Sequence, residues 1–316
     1  MVRNKDYLNI CPLCGSKKII KTTEINKNSL IKLYEKRFEY NIGYLFENVN
    51  HISFLKCESC NLKYFYPDIS GDNNFYKMLQ KNHFYYYDDK WEYRIINNYF
   101  KKSLSILEIG AGKGALSKIM DYKTYTGLEL NESAIKTAKN NNVNLSHTSI
   151  QDYAEKNEGA FDIVCSFQVL EHVILEDLYS FIKASIKALK KRGKMIIAIP
   201  SDKSYLNTRP NVTLNFPPHH ITRWPTEVFY KFEEIFNIKL LNIYYEPLNQ
   251  AQYNLFLKHK ILEKLNFNLP MIKNKKYPLE RIISKLTKLL PNCIKEKIIN
   301  YYNPVGHSIV LIFEKL

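Results

Sequence analysis

Apolar residues in this chain come in two rhythms, and each rhythm predicts a different kind of element. Between residues 103 and 250, short continuous apolar runs alternate with stretches of helical spacing. Ile106 to Ile109, Tyr125 to Glu129, Asn142 to Ser146, Phe161 to Phe167 and Lys194 to Pro200 read as strands. Helical spacing begins near Ala115, runs from Glu176 to Lys190, and returns from Thr226 to Phe236. Gly193 is expected to stop the second of these helices. Strands alternating with helices predict an α/β fold with a parallel, doubly wound sheet. Ile238 to Glu246 and His307 to Glu314 read as the last two strands, with roughly 55 residues between them, more than a hairpin needs. Inside that gap, Leu279 to Leu290 and Cys293 to Ile299 place apolar and basic residues at helical spacing.

The first strand runs into the most informative local feature, Glu108-Ile109-Gly110-Ala111-Gly112-Lys113-Gly114. Glycine permits a sharp turn and leaves no side chain between backbone and ligand. The pattern alone is weak, because Gly110, Gly112 and Ala115 also satisfy a nicotinamide fingerprint. Glu108 tips the balance. A pyrophosphate site wants helix N–H groups and little negative charge, whereas an acid suits the sulfonium and ammonium of S-adenosylmethionine. Glu129, at the end of the second strand, stands where a ribose diol would be held.

The runs ILEIGAGKGALSK, GLELN, FDIVCSFQVLEHV and LKKRGKMIIAIPS resemble the class I S-adenosylmethionine-dependent methyltransferases. The resemblance implies a Rossmann-like, seven-stranded sheet whose last strand is antiparallel and inserted into the sheet. It further implies that Glu108, Gly110, Gly112 and Gly114 line the methionine end of the cofactor and that Glu129 takes the ribose hydroxyls. Either Gln151 or Asp152 would meet the adenine amino group, and Phe167 and Gln168 would flank the methionine moiety.

Two cysteine knuckles, Cys11-Pro-Leu-Cys14-Gly and Cys57-Glu-Ser-Cys60-Asn, change the picture of the N-terminal part. Four thiolates presented from two tight turns suit a closed, structural zinc site. The long gap between them is filled by an amphipathic helix expected over Ser29 to Asn41. Cys165, in a buried strand, and Cys293, in a C-terminal helix, are expected to be packing residues. The text from LYEKRFEYNIGYLFENV through CESCNLKYFYPDISGDNNFYKMLQ to KWEY resembles uncharacterised bacterial zinc-ribbon methyltransferases related to sugar and glycan methyltransferases. The expected organisation is a zinc-ribbon module with helical insertion (1–80), an aromatic linker (81–102), the methyltransferase core (103–250), a helical C-terminal insertion (251–305) and the last core strand (306–316).

Proton removal near neutral pH suits histidine. His219 and His220 lie in the stiff Pro217-Pro218-His219-His220 loop after the fifth strand, one expected to face an acceptor and the other the scaffold. His172 follows the fourth strand. These three are the candidate general bases. Arg223 would bind an acceptor phosphate or carboxylate, or pair with a surface acid. Tyr87 and Trp91, in the aromatic linker, would approach a ligand or dock the zinc module.

The 316 residues carry a formal net charge of +15. Lysine is scattered rather than gathered into an arginine-rich tract, so nucleic acid is the less favoured partner and a small-molecule or glycan acceptor the favoured one. No apolar run reaches membrane-spanning length and the N-terminus lacks a signal core, so a cytoplasmic location is expected. Residues 279–300 read as a basic amphipathic segment that would form a helical cap on the protein, pair in a dimer, or rest on the inner face of a membrane.

Overall fold

The computed structural model describes residues 6–82, 90–208, 211–265, 272 and 278–316. Two sheets organise them. The N-terminal part supplies β1 (Ile19–Asn26), β2 (His51–Cys57) and β3 (Lys63–Tyr66). The core supplies β4 (Ser105–Ile109), β5 (Thr124–Leu128), β6 (Leu145–Ser146), β7 (Phe161–Phe167), β8 (Leu189–Pro200), β9 (Thr222–Arg223), β10 (Ile238–Pro247) and β11 (Val305–Lys315). Seven strands form the larger sheet in the order β10-β11-β8-β7-β4-β5-β6. β4 to β8 are parallel, and β11 enters antiparallel between β8 and β10, as the family resemblance implies. The central strands are buried on both faces, which is why they read as continuous apolar runs.

Most predicted elements form, with shifted ends. The helix expected over Ser29–Asn41 spans Lys27–Phe38, capped by the Asn26 side chain on the Asn28 N–H. The helix expected over Glu176–Lys190 spans Leu178–Ala188. Gly193 does not stop it. β8 has already begun at Leu189 and passes through an irregularity, Leu189 pairing with Phe161 and Lys194 with Ile163, while Arg192 adopts φ 64°. The stretch Thr226–Phe236 breaks at Lys231 into two short helices. Between β10 and β11 the described α-helices are Tyr253–Lys264, Pro278–Leu289 and Asn292–Tyr302. Cys165 is buried as expected, but Cys293 is exposed on the last of these helices and is not a packing residue.

The smaller sheet has the order β1-β2-β3-β9, so its fourth strand comes from beyond the fifth strand of the core. Lys63 pairs with Arg223 and Tyr64 with Thr222. Cys11, Cys57, Cys60 and Tyr64 share one buried cluster with Leu170, Leu175, Trp224 and Phe313. The cysteine-bearing sheet and the large sheet are therefore packed as one body.

Candidate active site

The carboxyl ends of β4, β5 and β7 meet at the glycine turn. Gly110, Gly112 and Gly114 take φ of 69°, 56° and 73°, a region that L side chains rarely occupy. Close packing enforces glycine at two of them. A Cβ on Gly110 would stand 2.5 Å from Val169 Cγ2, and one on Gly114 2.6 Å from Val143 Cγ1. Glu129 lies just past β5. Its Oε1 accepts from the Leu130 and Asn131 N–H groups at 2.9 and 2.8 Å, and its Oε2 from the Gly112 N–H at 2.8 Å. This carboxylate, held against the backbone of Gly112, fits the ribose end of S-adenosylmethionine.

Glu108 is not at the strand end but one residue inside it, only 2% exposed, and its Oε2 accepts from the Tyr125 hydroxyl. Burial pushes its carboxyl up to about 8, against a partial lowering by Tyr125 and Lys90. Gln151 and Asp152 occupy the first turn of the helix Ile150–Lys156. Gln151 Nε2 donates to Ser180 Oγ at 3.2 Å, and Asp152 accepts from its helix cap, Ser149. Phe167 is buried with its ring edge against Tyr93, centroids 5.2 Å apart.

Gln168 follows β7 in a left-handed conformation, φ 60°, uncommon for a side chain that size. Its amide donates to Glu92 Oε1 at 2.8 Å and to Ser308 Oγ at 3.2 Å. Ser308 in turn meets His307 Nδ1, and Glu246 Oε2 accepts from both backbone N–H groups, His307 and Ser308. Glu92, Glu246, His307 and Ser308 are polar groups at this edge that sequence reasoning missed. Their one signal, a polar pair opening the last strand, is visible only once β11 is known to lie beside β8.

The three predicted histidines converge. Ring centroids lie 4.5 Å apart for His172–His219, 5.0 Å for His172–His220 and 4.5 Å for His219–His220. His172 Nδ1–H donates to the His219 carbonyl at 2.6 Å, and His219 Nδ1–H to the Leu214 carbonyl at 3.0 Å. These bonds fix the tautomer that leaves Nε2 as a lone pair. Glu171 Oε1 stands 3.8 Å from His172 Nε2 and 3.9 Å from His220 Nε2. The Glu171 carboxylate is 2% exposed, and neither oxygen accepts a hydrogen bond among the described residues. Burial holds the His172 imidazole down to about 4, sets His219 and His220 well below their usual range, and pushes Glu171 up to about 8. One ring nitrogen from each imidazole lies within 4.8 Å of the other two, a spacing at which the three can face one divalent cation.

His220 and Glu171 also line a cavity of about 20 Å³, room for one water, together with Asp202, Asn215, Arg223 and Trp224. Arg223 pairs with no surface acid among the described residues. Its guanidinium sits over Phe54, Phe65 and Phe216 at 5.0, 5.5 and 5.3 Å and donates to the Asn215 carbonyl. Trp91 opens the helix Trp91–Ile96 and is half-buried against the core beside Tyr93 and Phe167. Tyr87 lies outside the described residues.

The four knuckle cysteines converge as well. Cys11 and Cys60 sulfurs are 3.6 Å apart, Cys14 and Cys57 3.7 Å, and all four lie within 4.8 Å of one another. Tetrahedral Zn–S bonds of about 2.3 Å require sulfurs about 3.8 Å apart, so the set fits a closed zinc site. Each knuckle turns back on itself through a left-handed residue, Gly15 donating to the Cys11 carbonyl and Asn61 to that of Cys57.

Residues 79–233 match the family model for a methyltransferase domain. A ubiquinone biosynthesis O-methyltransferase of Pelagibacter ubique is 28% identical over 60% of this chain and 76% of its own length. One from Idiomarina loihiensis is 31% identical over 29% of this chain, and this alignment spans only 41% of that relative. Among solved structures, a SAM-dependent methyltransferase from Archaeoglobus fulgidus is 18% identical, with a TM-score of 0.48 over 76% of this chain and all of that one. Residues 79–233 are a methyltransferase domain, and the chain is an S-adenosylmethionine-dependent methyltransferase.

Proposed function

We propose that the chain transfers the methyl group to a hydroxyl oxygen of a small-molecule or glycan acceptor. The observation that carries this reading is the convergence of His172, His219 and His220 beside Glu171 at the carboxyl edge of the sheet. An amine acceptor needs only to arrive neutral, whereas an alcohol must lose its proton as it attacks. Bound S-adenosylmethionine would supply the methyl carbon, with a neutral thioether as the leaving group. Around it, the chain's residues hold reactants in line and receive that proton. Glu129 and the glycine turn hold the ribose and methionine ends. Gln168, fixed by Glu92 and Ser308, borders the methyl-bearing edge. The Nε2 lone pairs of the histidine cluster take the acceptor proton.

Incubating labelled cofactor with separate pools of nucleotide sugars, lipid-linked glycans and RNA tests the acceptor class. Label in the sugar pools supports the proposal, and label in RNA alone overturns it. With the labelled acceptor in hand, His220→Asn is expected to lower kcat by about 10²–10⁴-fold, with cofactor affinity unchanged. Unchanged turnover in the single His172, His219 and His220 variants would remove the base.

A lipid-linked acceptor would place the enzyme at a membrane surface, with no need of a spanning segment. Among the described residues no helix is long and apolar enough to cross a bilayer. The helix Pro278–Leu289 nevertheless turns Ile282, Leu286 and Leu289 outward, 56%, 57% and 79% exposed, beside the exposed bases Arg281, Lys285 and Lys288. That combination suits an anionic lipid surface. The protein is expected to float with anionic but not neutral vesicles at low salt, and Leu286→Asp to abolish flotation. Failure to float removes the membrane contact while leaving the methyl transfer untouched.

A further inference from the structure

The cysteine module and the histidine loop are joined more closely than either needs to be for its own folding. Only Asn61 and Leu62 separate Cys60 from β3. β3 pairs with β9, which begins two residues after His220, and the Phe65 N–H donates to the Ile221 carbonyl at 2.9 Å. Two further braces come from the same module. The Tyr34 hydroxyl donates to the Phe216 carbonyl at 2.9 Å, and the Gly71 N–H to the Pro218 carbonyl at 2.9 Å. Rings from this module also face the cluster, Phe75 at 6.3 Å from His219 and Tyr76 at 6.4 Å from His172. On the other side, the core contributes the Ile221 N–H to Glu171 carbonyl bond. Segment 216–221 is therefore clamped between the two sheets.

We infer that a metal ion held by Cys11, Cys14, Cys57 and Cys60 positions His219 and His220, with Tyr34, Phe65 and Gly71 as the positioning residues that transmit its hold. The module is then a wall of the acceptor site and not a separate nucleic-acid grip. The inference rests on the reading of the histidine loop as the acceptor side. The physical argument is one of order. The four sulfurs lie within 4.8 Å of one another and a shared cation is what bonds them together, so loss of the metal loosens the knuckles first. β3 follows, because its register with β2 starts at Lys56↔Lys63, next to Cys57. The braces on Phe216, Pro218 and Ile221 go with it. The cofactor end is spared, since Gly110, Gly112 and Glu129 are held by β4, β5 and their own loop.

Hydrogen–deuterium exchange on the full chain reads this coupling without an acceptor. Stripping the metal with a chelator and a reversible thiol-blocking mercurial is expected to speed exchange at the 219–221 amides by at least about tenfold. Unblocking and adding Zn²⁺ should restore the slow exchange, while calorimetric affinity for S-adenosylmethionine stays within about threefold. Tyr34→Phe, with one zinc still bound, should speed the same amides by about two- to tenfold, as for one lost hydrogen bond. Unchanged exchange at 219–221 in either case overturns the inference. So does loss of cofactor binding together with the metal, which would mean that the ion holds the whole fold. Failure of the metal-loaded protein to bind cofactor would instead overturn the functional reading itself.

Discussion

Replacing Gly110 by alanine is expected to cost about 2–5 kcal/mol at the cofactor loop, a loss of S-adenosylmethionine affinity of roughly 30-fold or more. Two independent penalties add. The residue sits at φ 69°, where a Cβ meets its own backbone, a cost of about 1–2 kcal/mol. The new Cβ would also stand 2.5 Å from Val169 Cγ2, and Val169 follows the strained turn at Gln168. Overpacking of this kind costs about 1–3 kcal/mol. Relief requires the loop to move, and that movement displaces the Gly112 N–H from Glu129, the contact that holds the carboxylate proposed for the ribose in place. Gly159 supplies the control. It also has a positive φ, 61°, but a Cβ there meets nothing within 4 Å. Gly159→Ala should therefore lower the melting temperature slightly and leave calorimetric affinity unchanged. Wild-type affinity in Gly110→Ala would mean that the turn is architectural and the cofactor lies elsewhere.

The contrast between these two glycines also shows what a sequence can and cannot display. The glycine turn and its two acids were legible because their parts are local: an apolar strand, an acid, three alternating glycines and a second acid follow one another within about two dozen residues. The cysteine quartet was legible for the same reason, since each knuckle is a self-contained turn. The convergence of the three histidines was not. His172 and the pair His219 and His220 are 47 residues apart at the closest named contact, and their meeting depends on how the loop after β8 folds back over β7. β9 is two residues long and carries no strand signal, yet it ties the N-terminal sheet to the core. Arg223 reads as a ligand-binding cation in one dimension, and in three its guanidinium also lies over three aromatic rings while lining the cavity beside His220. Gly193 misled for a related reason. Glycine after a helical run usually marks a helix end, but here the sheet captures the chain four residues earlier, at Leu189. Tertiary pairing overrode the local preference.

Glu108 should make cofactor binding a proton-coupled event. Its carboxyl is buried beneath the glycine turn, with Tyr125 as donor, Lys90 as a favourable charge, and Glu129 as an unfavourable one. Raised to about 8 from an ordinary 4.5, it is mostly protonated in the free enzyme at pH 7. The sign for stability follows from that direction. The neutral carboxyl contributes fully below about pH 4.5, and this contribution is lost as pH rises through about 8, on the order of 4–5 kcal/mol in all. Glu108→Gln keeps a neutral group beside Tyr125, so the variant should melt higher than wild type above pH 8 and differ little at pH 4. A bound sulfonium and ammonium reverse the balance, because a cation nearby favours the ionised acid. Binding at pH 7 should therefore release close to one proton, read by calorimetry as a heat that varies with the ionisation enthalpy of the buffer. Affinity should rise with pH up to about 8 and then level. In Glu108→Gln the proton release disappears and affinity falls, more steeply for S-adenosylmethionine than for S-adenosylhomocysteine, which lacks the sulfonium charge. A variant that binds both as wild type does, with no proton released by either protein, would make Glu108 a structural acid and leave Glu129 alone to recognise the cofactor.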